Sequence, residues 1–212
     1  MIEVIPGINE FDLKEIESKL SLISLLTKWV QIDVADGTFV PESTYFDASG
    51  LSQVINSYPH ISFEAHLMVA SPEKYIKPYA DAGFARLIAH VEATDPRIFL
   101  EDAKFESVEV GMAIDGSTEL SQIEPYLDEI DFALIMSIEA GPSGQEFLPE
   151  TIERIKAVRE GFPDLPIEVD GGINSQTVKL VEEAGAARAV VTSYIFKNEQ
   201  HVESALKKLQ GD

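Results

Sequence analysis

The stretch Pro166-Ile167-Glu168-Val169-Asp170-Gly171-Gly172-Ile173-Asn174 decides the fold, because it holds one complete structural unit in miniature. Its apolar run predicts a buried parallel strand over 166–170 that ends on an acid. A glycine pair then turns the chain, Asn174 caps a helix over 174–184, and Gly185 stands where that helix should stop. Outward from this stretch the same unit recurs. Strands are predicted at 2–6, 28–34, 61–68, 85–91, 107–114, 130–138, 166–170 and 187–192. Helices are predicted near 11–25, 49–57, 71–82, 96–104, 118–127, 149–161, 174–184 and 199–209. Ser71-Pro72-Glu73 reads as a capping Ser before a Pro at the first helical position, and Gly83 as that helix's stop. An open doubly wound sheet is the rival arrangement. Eight regular units with a very short last crossover favour an α/β chain closed as a single (β/α)₈ TIM barrel domain over 1–212.

In such a barrel the C-terminal strand ends meet at one mouth, where active sites are built. Polar residues sit at those ends on otherwise apolar strands: Asp33, His66, His90 and Asp170. Two carboxylates and an imidazole converging there suit a divalent metal, or proton transfer on opposite faces of a carbon beside a carbonyl. A strand-end Asp also commonly caps its own loop, so the argument rests on the convergence. Three further stretches follow late strands: Gly141-Pro142-Ser143-Gly144, Gly171-Gly172 and Thr192-Ser193. Loops after strands seven and eight often cradle a phosphate on exposed N–H groups, although glycine also serves ordinary turns.

With 37 acidic against 16 basic residues the net charge is −21, which opposes binding to nucleic acid and to anionic lipid. Any phosphate must therefore be held by local donors. Hydrophobic residues at 45% suffice for a core, and the absence of cysteine excludes disulfides and thiolate metal sites. No stretch approaches a membrane span, so a cytoplasmic chain without a membrane partner is expected. His60 and His201 read as solvated, Trp29 as packing, His90 as a hydrogen-bonded neighbour of the site, and Glu124 to Asp131 as a solvated helix face.

Four stretches resemble the ribulose-phosphate 3-epimerase family: Gln31 to Pro41 (QIDVADGTFVP), His66-Leu67-Met68-Val69, Gly141 to Gln145 with Phe147 and Pro149, and Val169 to Asn174 (VDGGIN). Pro6-Gly7-Ile8 and His90-Val91-Glu92 match more weakly. The resemblance implies inversion of carbon 3 of a ketose phosphate, D-ribulose 5-phosphate to D-xylulose 5-phosphate or a close relative. It places Asp33 and Asp170 as the acid/base pair. It also implies one divalent ion (zinc, iron, manganese or cobalt) on Asp33, His66 and Asp170, with Gln31 as a weak fourth ligand where the family has His. The phosphorylated substrate is assigned to Gly7, His66, Gly141, Ser143, Gly144, Gly171, Gly172, Thr192 and Ser193, and a homo-oligomer is expected.

Several positions depart from the family pattern: Gly7 replaces a Ser, Ala35 a Met and Thr192 a phosphate-binding Gly, while Pro142 and Ser143 alter a glycine-rich loop. These departures, with Gln31, motivate a second reading, a non-catalytic sugar-phosphate-binding barrel with an impaired metal site. A decarboxylase of the orotidine-phosphate type needs a Lys where this chain has Ala35, and ranks last.

Overall fold

Short β-branched runs alternate with amphipathic segments, and the computed structural model, which describes residues 1–142, 144–197 and 201–211, folds them as that alternation requires. Eight parallel strands close in chain order: β1 (Glu3–Ile8), β2 (Trp29–Ala35), β3 (Ser62–Met68), β4 (Arg86–His90), β5 (Glu109–Ile114), β6 (Phe132–Met136), β7 (Ile167–Asp170) and β8 (Arg188–Val191). The helices are α1 (Leu13–Ile23), α2 (Ala48–Ser57), α3 (Ile76–Ala82), α4 (Pro96–Ala103), α5 (Thr151–Gly161), α6 (Thr177–Ala184), α7 (Ser193–Phe196) and α8 (Val202–Gln210). The architecture is a closed (β/α)₈ barrel.

Strand alternation divides the interior into two cores. On β6, Ala133 and Ile135 face the cluster shared with the helices, whereas Phe132, Leu134 and Met136 join Ile88, Ala113 and Ile138 in a separate cluster. Register pairs Asp33 with His66 and Met136 with Asp170 at the upper strand ends, so the polar termini lie at one level.

Two residues down β3 and β7 lies a second polar level. Glu64 and Glu168 are wholly buried, and Arg86 Nη1 donates to Glu64 Oε2 at 3.0 Å while its Nε donates to Glu109 Oε2 at 2.7 Å. Arg188 Nη1 lies 3.7 Å from Glu168 Oε2. The Arg86 guanidinium also stacks 3.5 Å from the Trp29 ring centroid, which gives Trp29 its packing role.

Several expectations need correction. The crossover between β5 and β6 is no helix over 118–127 but two 3₁₀ turns, Leu120–Gln122 and Glu124–Tyr126. Pro125 removes an N–H and its ring opposes the carbonyl four residues back, so a continuous α-helix cannot form, and the acidic run from Glu124 is no helix face. Pro78 acts likewise on the helix over 71–82, which splits into a 3₁₀ turn (Pro72–Lys74) and α3. Ser71 makes no side-chain capping bond there. Asn174 Oδ1 accepts from the N–H groups of Gln176 and Thr177, so it does cap a turn, although regular α6 begins only at Thr177. Gly83 and Gly185 end α3 and α6 in the left-handed conformation, φ 103° and 113°. Residues 199–200 of the last predicted helix lie outside the described residues.

Candidate metal centre and its rim

Asp33, His66 and Asp170 meet at the barrel mouth with one ligand atom each, all within 4.8 Å of one another. His66 Nδ1 lies 3.3 Å from Asp33 Oδ1 and 3.6 Å from Asp170 Oδ2. Gln31 is fully buried beside them, and its Nε2 donates to Asp33 Oδ1 and to Asp170 Oδ2, each at 2.8 Å. Its Oε1 has no hydrogen-bond partner among the described residues.

Behind His66 a chain of hydrogen bonds sets its tautomer. His66 Nε2 lies 2.8 Å from His90 Nε2, and His90 Nδ1 lies 3.2 Å from Glu92 Oε2. A carboxylate only accepts, so His90 carries its proton on Nδ1, its Nε2 accepts, and His66 Nε2 is the donor. The remaining nitrogen, His66 Nδ1, faces the two carboxylates with a lone pair or a positive charge. This is the orientation in which an outer carboxylate commonly holds a metal-binding imidazole. The expected neighbour role of His90 is borne out, and Phe39 packs on its ring at 4.9 Å between centroids.

The electrostatics show what the site favours. Burial, and after it the charge of Asp33, pushes the Asp170 carboxyl up to about 7. Burial opposes charge on His66, yet the hydrogen bond and charge of Asp33, with Asp170, hold its pKa above the ordinary imidazole range. Burial and the neighbouring His66 keep His90 low, the Glu92 bond notwithstanding. Two buried carboxyl groups compressed beside one imidazole favour positive charge among them, and the ligand set of two carboxylate oxygens and an imidazole nitrogen fits a divalent ion.

The centre floors a pocket that opens at the mouth, lined by Asp33, His66, Asp170 and, around the rim, Gly141, Gly144, Gly171, Gly172, Thr192 and Ser193. The glycine pair after β7 is required here. Gly171 (φ 116°) and Gly172 (φ 59°) are left-handed, and a Cβ would fall 2.4 Å from Ile138 Cγ1 and 2.7 Å from the Phe147 amide nitrogen respectively. Ser137 ties the end of β6 beneath them by donating to the carbonyls of Asp170 and Gly171. Asp36 does the same for the loop after β2, accepting from the N–H groups of Thr38, Phe39 and Ala70.

Gly7 does not line this cavity; it lies against Thr192. A Cβ at position 7 would meet Thr192 Oγ1 at 2.5 Å and Val190 Cγ1 at 2.9 Å. The two departures are thus one steric event, the side chain from β1 exchanged for a hydroxyl from the end of β8. Ala35 packs with Val40 and Met68 rather than lining the cavity. Ser143 lies outside the described residues. Missed in the sequence were Asn9, Met68 and Met136, which also line the cavity. Met68 stands two residues after His66 and Met136 beside Asp170, so period-two alternation was the signal.

A sequence model of the ribulose-phosphate 3-epimerase family matches residues 3–196. The chain belongs to the ribulose-phosphate 3-epimerase family. Among relatives in that family, the ribulose-phosphate 3-epimerase of Schizosaccharomyces pombe is 30% identical over 99% of this chain and 91% of its own. The Chlamydia muridarum ribulose-phosphate 3-epimerase is 34% identical over 86% of this chain and 83% of its own. The cytoplasmic isoform from Oryza sativa subsp. japonica is 30% identical over 88% and 84%. Solved structures agree on the fold: a 3-hexulose-6-phosphate synthase from Salmonella typhimurium superposes with TM-score 0.77 at 17% identity, covering 99% of this chain and 97% of that one. Among the described residues no helix is long and apolar enough to cross a membrane.

Proposed function

We propose that this protein inverts carbon 3 of a ketose phosphate, interconverting D-ribulose 5-phosphate and D-xylulose 5-phosphate, with Asp33 and Asp170 as the two acid/base groups. The observation that carries this reading is the convergence of two carboxyl groups from strands on different sides of the barrel onto one cavity, one of them held to about 7. A carboxylate removes the carbon-3 proton, leaving the enediolate of the substrate. The opposite carboxyl then returns a proton to the other face, so one proton is taken and one given while the two carboxyls exchange states. A divalent ion held by Asp33, His66 and Asp170 supplies the positive charge that the developing oxyanion needs.

The chain's own residues do the rest. Glu92 and His90 fix the His66 ring so that Nδ1 faces the reacting end. The rim of Gly141, Gly144, Gly171 and Gly172, with Thr192 and Ser193, is the proposed seat of the phosphate, because backbone N–H groups there offset a field set by a net charge of −21. We place the protein in the cytoplasm as one (β/α)₈ domain, with a small phosphorylated sugar as its partner and no nucleic acid.

Loading the chelated protein with zinc, iron, manganese or cobalt in turn and following ribulose 5-phosphate by ¹³C NMR tests the assignment. Xylulose 5-phosphate signals are expected with at least one ion. Ribulose 5-phosphate bound but unconverted with every ion would instead leave the sugar-phosphate-binding barrel that Gln31 motivates.

A further inference from the structure

We infer that Gln31 is a two-position residue that stands in for a cation when the site is metal-free and becomes an oxygen ligand when metal binds, biasing the site toward harder ions such as manganese over zinc. The inference rests on the metal-assisted reading above.

Its basis is the asymmetry of one buried amide. The nitrogen end makes two bonds of 2.8 Å, one to each carboxylate, and so bridges Asp33 and Asp170 across the gap between β2 and β7. The oxygen end is fully buried with no hydrogen-bond partner among the described residues. Amide N–H groups shared between carboxylates are charge-assisted donors, and they draw together two groups that otherwise repel. Rotating the amide by half a turn would set Oε1 against both carboxylates, an arrangement of acceptors alone. With both carboxyls ionised that arrangement holds only with a cation among them, so at pH above the Asp170 range ion binding and amide rotation are coupled. Rotation merely changes which amide atom is unpartnered, and the ion must displace two good hydrogen bonds. Affinity is lowered accordingly, and the ligand gained is a neutral carbonyl-type oxygen, which suits manganese or magnesium more than an imidazole-seeking ion such as zinc.

Calorimetric titration of chelated protein with Mn²⁺ and with Zn²⁺, on the wild type and on Gln31→His, tests this. The zinc-over-manganese affinity ratio is expected to rise on the order of 10–100-fold in Gln31→His. In the wild type, the ¹⁵N-labelled side-chain amide of Gln31 should show slowed proton exchange without metal and a large shift when zinc binds. Gln31→Leu, which removes the bridge, should melt lower than wild type when both are metal-free. Ions that bind with the ratio unmoved by Gln31→His, or an amide signal that stays put on zinc binding, would overturn the inference alone. Failure of both proteins to bind either ion would overturn it together with the metal-assisted reading.

Discussion

Strands β3 and β7 each carry polar groups at two levels, Glu64 and Glu168 below, His66 and Asp170 above, and the two levels behave differently because of what faces them. Below, two arginines enter the interior: Arg86 reaches Glu64, Arg188 approaches Glu168, and the acids are sealed from solvent. Above, Asp33 and Asp170 keep 6% and 9% of their surface, and among the described residues their side chains meet an amide and an imidazole. The lower level brings its own cations. The upper one is built to receive a cation and a substrate, which is the ordinary trade of stability for function.

The largest effect expected from this contrast is on the upper level. Asp170→Asn should lower kcat by about 10²–10⁴-fold while the metal-free protein melts higher than wild type, since a carboxyl disfavoured by burial and by Asp33 is gone. A kinetic assay paired with a thermal melt reads both, and a loss of activity that tracked a loss of stability would erase the distinction. Below, Arg86→Met leaves Glu64 buried without its partner and should cost about 3–5 kcal/mol by urea unfolding, with kcat of the folded fraction preserved. Adding Glu64→Leu should recover most of that loss, because a buried pair replaced by apolar groups is nearly neutral.

A smaller effect separates shape from charge. Gly7→Ser drives a side chain into Thr192 and Val190 and should cost about 1–3 kcal/mol, whereas Gly7→Ser with Thr192→Gly should cost less than the single change. Equal losses in the two would show that the positions are not sterically linked. The last concerns the pH slope of the metal-free protein. The Asp170 pKa rises from 3.8 to about 7 on folding, so its contribution is fully present below the lower value and is lost as pH climbs through the upper. His66, also raised above 6.5, acts in the same direction at its own higher range. Melting temperature should therefore fall between about pH 4 and about pH 7, and a saturating divalent ion should flatten the slope.

Much of this was legible in the residues. Each strand run appears within two or so residues of its predicted place, since glycine turns and apolar periodicity mark them locally, and Asp33, His66 and Asp170 stand out as polar ends of apolar strands. What was not legible depends on partners distant in sequence. Glu64 and Glu168 look like exposed interruptions until Arg86 and Arg188 arrive from neighbouring strands. The coupling of Gly7 to Thr192 needs the barrel closed, because β1 meets β8 only then. Pro78 and Pro125 were visible throughout; the apolar spacing around them suggested helix more strongly than a single missing N–H suggested a break.

The most direct test is solvent exchange at carbon 3. Ribulose 5-phosphate incubated in deuterated water with the metal-loaded protein should acquire deuterium at that carbon alone, in both epimers, and Asp33→Asn with Asp170→Asn should abolish it. Deuterium absent with every divalent ion, in protein shown to bind both ion and sugar phosphate, would contradict the claim that these two carboxyl groups move a proton.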